Sequence, residues 1–129
     1  MNKTAIVVDV TNTNIPERVK QTKTNCPGYR KSEHCLVYKE DHQTTVELTV
    51  GIDSLTIFRN GENKTRIVLN KAGECTACTS CEYGDFYFDV SLEKLLISNK
   101  MISAQYILMQ SGQMVNQIHI RWIIKEEQA

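Results

Sequence analysis

Residues 84–92, GDFYFDVSL, alternate between apolar and polar side chains, and this alternation determines the fold class. Successive side chains of an extended strand point to opposite faces, so the pattern predicts a strand with one apolar face. The apolar members are Phe86, Phe88, Val90 and Leu92. The segment that follows, SLEKLLIS at residues 91–98, has leucines spaced for one helical turn. It is short and uncapped, so we predict strand or turn there too.

The same period of two recurs along the chain. It is found in TTVELTV (44–50), SAQYILM (103–109) and MVNQIHIRWII (114–124), which are rich in residues that favour strands. The last segment places one set of side chains on an apolar face, namely Met114, Ile118, Ile120, Trp122 and Ile124. His119 falls on the opposite, solvent face together with Gln117 and Arg121.

Short turn signals separate these segments. Asn60-Gly61 favours a tight hairpin turn with positive φ, Ser111-Gly112 is a second candidate, and Gly84 is predicted to be a turn position. Hairpins without crossover helices imply an antiparallel meander, and closure of such a sheet leaves no exposed edge. We therefore predict an all-β fold, a single antiparallel barrel of about eight to ten strands, with residues 1–129 forming one domain.

The composition excludes several classes of protein. Fifteen basic and fifteen acidic residues cancel, which argues against nucleic acid as a partner. The apolar runs are too short to span a bilayer, and MNKTAIVVDV at the start has no long apolar segment of a signal peptide. We expect a soluble cytoplasmic protein without a membrane association. Five cysteines in such a compartment are expected to be free thiols.

Several short motifs together resemble one family. They are VYKED with Tyr38 and Glu40, LTIFRNG with Arg59 and Gly61, EYGDFYFDV with Tyr83-Gly84, AQYILMQSG with Tyr106 and Gly112, and NQIHI with Asn116. This combination resembles the YwiB-like family of uncharacterised bacterial proteins. The resemblance implies a calycin-like barrel, related in architecture to lipocalins, and it implies no reaction. Fold alone does not assign function.

The three cysteines of GECTACTSCEYG (73–84) are spaced as in some metal sites. A zinc or iron–sulfur site needs four ligands at one point, and only three occur here. In a strand, Cys75 and Cys81 would share a face and Cys78 would take the other. We therefore predict structural thiols and no metal. A metal or redox role remains the less favoured alternative.

Four residues are candidate ligand-binding residues of the barrel interior: Tyr38, Glu40, Arg59 and Tyr106. Glu40 and Arg59 each continue an apolar row, and a buried charge needs a partner. An ion pair between them at the barrel mouth satisfies both. The alternative is that Arg59, with Tyr38 or Tyr106, binds the carboxylate of an apolar ligand.

No nucleophile–base pair is recognisable around His34, His42 or His119, so we predict no catalytic residues and no enzyme activity. Our functional prediction is non-enzymatic binding of a small, mostly apolar ligand in the barrel, with no cofactor. The alternative is a structural or interaction protein with a packed barrel, pairing by an edge strand or an exposed apolar strip, and a homodimer is consistent with it.

Overall fold

Ten segments form β-strands in the computed structural model, which describes residues 4–126. The strands are β1 (Thr4–Asn14), β2 (Val19–Ser32), β3 (Cys35–Lys39), β4 (Thr45–Val50), β5 (Ser54–Asn60), β6 (Lys64–Asn70), β7 (Thr76–Cys81), β8 (Gly84–Ile97), β9 (Met101–Gln110) and β10 (Gln113–Glu126). Each pairs antiparallel with its neighbours along the chain, and β1 pairs with β10, which closes the barrel. The predicted all-β antiparallel barrel is confirmed, and SLEKLLIS lies in β8.

The interior is apolar at one end of the barrel and mixes polar with apolar side chains at the other. Along β1 the inward positions change from Ile6, Val8 and Val10, which are buried, to Asn12 and Asn14, which are partly exposed. The buried set also contains Trp122, which has no exposed surface. Each large apolar side chain in this core contributes about 1.5–3 kcal/mol through burial. We call the half around Ile6 and Val8 the packed end and the half around Asn12 and Asn14 the open end.

Two predicted turns have different outcomes. Ser111 and Gly112 have φ values of 54° and 77° and join β9 to β10 as predicted. The prediction of a tight positive-φ turn at Asn60-Gly61 is wrong, because β5 and β6 are joined by three residues and Asn60 pairs with Lys64. A two-residue turn at Asn60-Gly61 would shift the pairing by an odd number of residues. The buried Ile67 would then face outward, and register is fixed by the buried face.

Met114 does not lie on the apolar face of β10, contrary to the sequence prediction. The pairing of β10 with β9 shifts between Met114 and Asn116, so that strand has a bulge there. A bulge adds one residue and reverses the direction of the side chains beyond it. Met114 is consequently 53% exposed, whereas Ile120, Trp122 and Ile124 are buried as predicted.

Candidate functional site

Strand β8 has different neighbours in its two halves. Residues 84–89 pair with β7, and residues 89–97 pair with β9. Only Asp89 lies opposite a residue on both sides, Thr76 of β7 and Met109 of β9. Within residues 4–126, the side of β8 that faces away from β9 has no paired strand from residue 90 to residue 97. We call this side of residues 90–97 the β8 edge.

A cleft of about 710 Å³ lies beside the β8 edge. One wall comes from the β6–β7 turn between Asn70 and Thr76, and the other comes from residues 88–95. We call it the β8 cleft. It exists because β7 has six residues and β8 has fourteen, so β7 covers only the first part of its longer neighbour.

The β8 cleft has an apolar floor and a charged rim. Phe88, Val90 and Leu92 are partly buried and pack against the core. The charged residues of the rim are Lys71, Glu74, Asp89, Glu93 and Lys94. Three carboxylates against two ammonium groups give the rim no excess of positive charge. The unpaired backbone groups of the β8 edge add hydrogen-bond donors and acceptors.

Two of the four residues predicted to bind a ligand, Tyr38 and Tyr106, lie inside the barrel. Tyr38 is 1% exposed, and its hydroxyl accepts a hydrogen bond of 2.8 Å from Nε1–H of the buried Trp122. Burial, reinforced by the negative charge of Glu40, raises the pKa of Tyr38 far above its usual range. This hydroxyl therefore has a structural partner and stays protonated.

The hydroxyl of Tyr106 differs from that of Tyr38. Tyr106 is 3% exposed, and burial alone raises its pKa strongly. Among the described residues, its hydroxyl has no protein hydrogen-bond partner. Within residues 4–126, every side-chain polar atom that is fully shielded from solvent has a hydrogen-bond partner. Because the Tyr106 hydroxyl has none, it must still border a space large enough for a water molecule.

The other two predicted residues, Glu40 and Arg59, form the predicted ion pair. Arg59 Nη2 lies 2.8 Å from Glu40 Oε2, and Lys23 Nζ lies 3.7 Å from the same oxygen. The Glu40 side chain is only 7% exposed, whereas that of Arg59 is 47% exposed. Two cations thus balance a nearly buried carboxylate. A role in ligand binding for Tyr38, Glu40, Arg59 and Tyr106 stays a prediction.

The three clustered cysteines separate as the strand geometry requires, with one exception. Cys78 lies opposite Tyr87 and Cys81 lies opposite Gly84, three residues apart and on opposite faces of β7. Cys75 is the exception, because β7 begins at Thr76. Its Sγ lies in the turn, where it accepts a hydrogen bond of 3.2 Å from the Asn70 backbone N–H. Across residues 4–126, no group of three or more His, Cys, Asp or Glu side chains is placed to hold a metal ion.

Gly84 and His119 lie where the sequence predicts them. Gly84 has φ of +118° directly after the two-residue β7–β8 turn. His119 is on the outer face, where its Nε2 lies 3.1 Å from Ser103 Oγ. His34 and His42 lie in exposed turns.

The partner change along β8 was missed by sequence reasoning. The alternation of residues 84–92 predicts a strand but not which neighbour pairs with each half. No alternation marks the second half of β8, because Glu93 and Lys94 are both polar and the next three residues are all apolar. A long strand next to a short one must leave part of its edge unpaired.

Comparisons with known proteins agree with this architecture. The family model "Domain of unknown function (DUF1934)" matches residues 6–121. In structure, the chain is similar to the ywiB protein from Bacillus subtilis, with a TM-score of 0.73 and 14% sequence identity, over 98% of this chain and 94% of that chain. At this identity the likeness shows the fold alone. No curated protein matches the sequence.

The resemblance to the YwiB-like family is thereby confirmed, and so is the calycin-like barrel. As for membranes, the part of the chain that the structure describes contains no helix long and apolar enough to cross a bilayer. Since the family model matches most of its length, the chain belongs to the family of the domain of unknown function DUF1934.

Proposed function

We propose that the protein is a non-enzymatic binding protein and that the β8 cleft receives a small, mostly apolar molecule. The observation that carries this proposal is the partner change at Asp89, which opens the barrel wall beside inward-facing apolar side chains. The volume of about 710 Å³ falls within the range of about 300–1,000 Å³ that is typical of ligand pockets.

The lining indicates the chemistry of the ligand. Phe88, Val90 and Leu92 offer contact to an apolar body of the ligand. The rim has more carboxylates than ammonium groups, so a free fatty acid would gain no net attraction there. The unpaired N–H and C=O groups of the β8 edge can bond an amide or hydroxyl. We therefore expect a neutral molecule with an apolar body and one uncharged polar group.

Titration with a neutral fluorescent probe, N-phenyl-1-naphthylamine, tests the site. We expect wild-type protein to bind one probe molecule per chain. Leu92→Glu should raise the dissociation constant at least about tenfold, because a carboxylate would replace the apolar floor. Val115→Glu is the matched control, since Val115 is an exposed apolar residue of β10 outside the cleft lining, and it should leave binding unchanged.

Two results would contradict the cleft as the site. Equal binding by wild type and Leu92→Glu would exclude the cleft. Loss of binding in Arg59→Ala with full binding in Leu92→Glu would move the site to the open end of the barrel, near Glu40. Native mass spectrometry of protein isolated from its own cell then tests for the natural ligand. A spectrum that shows only the mass of the bare chain would argue against the existence of such a ligand.

A second candidate function, an interaction protein, is favoured by the β8 edge. Unpaired backbone groups along eight residues form a template for pairing with another strand. Peptide segments are recognised in this way when they add a strand to an exposed sheet edge. The apolar floor of the cleft would then cover side chains of the added strand.

A further inference from the structure

The open end of the barrel contains a second pocket, where the adjacent strands β2, β1 and β10 end. Its volume is about 230 Å³, and it shares no residue with the β8 cleft. Four of the residues that line it carry carboxamide groups, namely Asn12, Asn14, Gln21 and Asn116. We call it the carboxamide pocket.

The strand register directs the carboxamides of β1 and β2 into the barrel. Asn12 pairs with the buried Ile120, and Asn14 pairs with Ile118, which packs against the core. Directly paired residues of neighbouring strands project to the same face of the sheet. Gln21 pairs with Asn12 and therefore projects inward as well.

Asn116 of β10 completes the group. It pairs with Leu108, which packs against the core, so its side chain also points inward. It is the last inward residue of β10 before the bulge, beyond which Met114 is exposed. Three adjacent strands thus place carboxamides at the end of rows that are otherwise apolar.

The protein leaves most hydrogen-bonding groups of these carboxamides unused. Asn14 Oδ1 accepts the Glu17 backbone N–H at 3.3 Å, and Asn116 Oδ1 accepts the Gln117 backbone N–H at 2.9 Å. The other two carboxamides make no hydrogen bond within residues 4–126, and none of the four donates one there. Since each carboxamide has two N–H donors, the pocket offers about eight unused donors together with free amide oxygens.

The charge of the pocket determines which class of molecule fits it. Among the described residues that line it there is no lysine or arginine, and Glu17 of the β1–β2 turn contributes one carboxylate. An anion would be repelled by this carboxylate, and a cation would meet a surplus of N–H donors. A hydroxyl group fits both features, because it accepts from an amide N–H and donates to an amide oxygen or to the carboxylate.

The size of the pocket limits the ligand to a single ring. A volume of about 230 Å³ has room for about seven or eight water molecules at about 30 Å³ each. It lies below the range of about 300–1,000 Å³ that is typical of pockets for larger ligands. Val19 and Ile118 add two apolar side chains, which can contact the C–H groups of such a ring.

We propose that the carboxamide pocket binds a neutral, polyhydroxylated molecule of the size of one sugar ring. Its hydroxyl groups bond to the carboxamides and to Glu17, and its C–H groups contact Val19 and Ile118. This site goes beyond the proposed function, because it lies on other residues and takes a polar ligand. The two sites therefore succeed or fail independently.

Nuclear magnetic resonance tests the site directly, because each side-chain N–H2 group gives its own signals. The probes are D-glucose, D-galactose and D-ribose. We expect at least one of them to shift the signals of all four carboxamides saturably, with a dissociation constant of about 1–10 mM, since a few hydrogen bonds made in exchange with water give weak binding. Unchanged signals with all three sugars at about 50 mM would overturn the proposal.

Asn12→Leu is the diagnostic variant, because it keeps the size of the side chain and removes its hydrogen-bonding groups. The Asn12 side chain has no hydrogen bond within the described residues, so the fold does not depend on one. The variant should raise the dissociation constant at least about tenfold, since ligand hydroxyls would lose their partners. Asn99→Leu is the matched control, the same change in the exposed β8–β9 turn outside the pocket, and it should leave binding unchanged.

Thermal unfolding should show that both variants are folded, and equal binding by wild type and Asn12→Leu would then overturn the site. Two further probes test the chemistry. Tetrahydropyran, a ring without hydroxyl groups, and inorganic phosphate should leave the four carboxamide signals unchanged. Saturable binding of either one without binding of a sugar would contradict a polyhydroxylated ligand. Leu92→Glu should keep full sugar binding, and its loss there would show that the two sites are not independent.

Discussion

At the scale of single residues, the two buried tyrosines play different parts. Tyr38 accepts the hydrogen bond of Trp122, whereas the Tyr106 hydroxyl has no protein partner within residues 4–126. Removing the acceptor leaves an indole N–H buried without a partner, which costs about 1–3 kcal/mol. The two tyrosines are buried to nearly the same extent, so only the hydrogen bond distinguishes them.

We therefore expect Tyr38→Phe to lower the free energy of unfolding by about 1–3 kcal/mol and Tyr106→Phe to change it by less than about 0.5 kcal/mol. Urea denaturation followed by Trp122 fluorescence measures both. Equal effects of the two substitutions would contradict the assigned hydrogen bond.

Gly28 of β2 is required by a close approach of two strands. It pairs with Tyr38, and an added Cβ would lie 2.8 Å from the Tyr38 Cβ and would also press on the Val37 carbonyl oxygen. Gly28→Ala should destabilise the protein by about 1–3 kcal/mol in denaturant titrations, because the backbone must move. Gly73→Ala is the control, since its Cβ would meet only the flexible side chain of Asn70, and we expect less than about 0.5 kcal/mol. A neutral Gly28→Ala would contradict the β2–β3 register.

At the scale of elements, β8 combines a partner change with a bulge at Glu93. Since Glu93 is the extra residue, its deletion should convert β8 into a regular strand in which Leu92 and Leu95 still face inward. Deletion of Ser91 instead turns Leu92 outward and the Glu93 carboxylate inward, because strand side chains alternate.

We expect deletion of Glu93 to lower the free energy of unfolding by less than about 2 kcal/mol and deletion of Ser91 to lower it by at least about 3 kcal/mol. Thermal and urea unfolding of the two variants decide the comparison. If deletion of Ser91 is the milder change, the bulge has been placed at the wrong residue.

The strands themselves could be predicted from the sequence because alternation is a local property. The faces of Ile120, Trp122 and Ile124 follow from parity alone. Met114 was misplaced because a bulge leaves no distinct signal among neighbouring polar residues. Asn60-Gly61 was misjudged because the register set by Ile57 and Ile67 overrides the preference of one dipeptide.

At the scale of the whole molecule, closure of the barrel and the Glu40–Arg59 pair were predictable, whereas the β8 cleft was not. Parity places Glu40 and Arg59 on inward rows, and charges in such positions need each other. The cleft depends on how far two neighbouring strands overlap, which is a property of pairing between segments. No pattern within GDFYFDVSL reports where β7 ends.

The stability of the whole molecule should fall in alkaline solution. Burial raises the pKa of Tyr38 and Tyr106 in the folded state, so the folded protein keeps two protons that the unfolded chain releases above about pH 10. Their contribution is complete below that pH and is lost as the pH rises, by about 1.4 kcal/mol per pH unit for each tyrosine. The slope for Tyr106→Phe, measured by urea unfolding between about pH 10 and 11.5, should be shallower by that amount. An unchanged slope would show that Tyr106 is not buried.

The central claim is that β8 leaves β7 at Asp89 and has an unpaired edge beyond it, and residue-resolved hydrogen–deuterium exchange tests this most directly. We expect the amides of Val90 and Leu92, on the part of the β8 edge that lines the cleft, to exchange rapidly. Those of Ser91 and Leu96, which bond to β9, should be protected. Equal protection of all four amides would contradict the open edge and the cleft beside it.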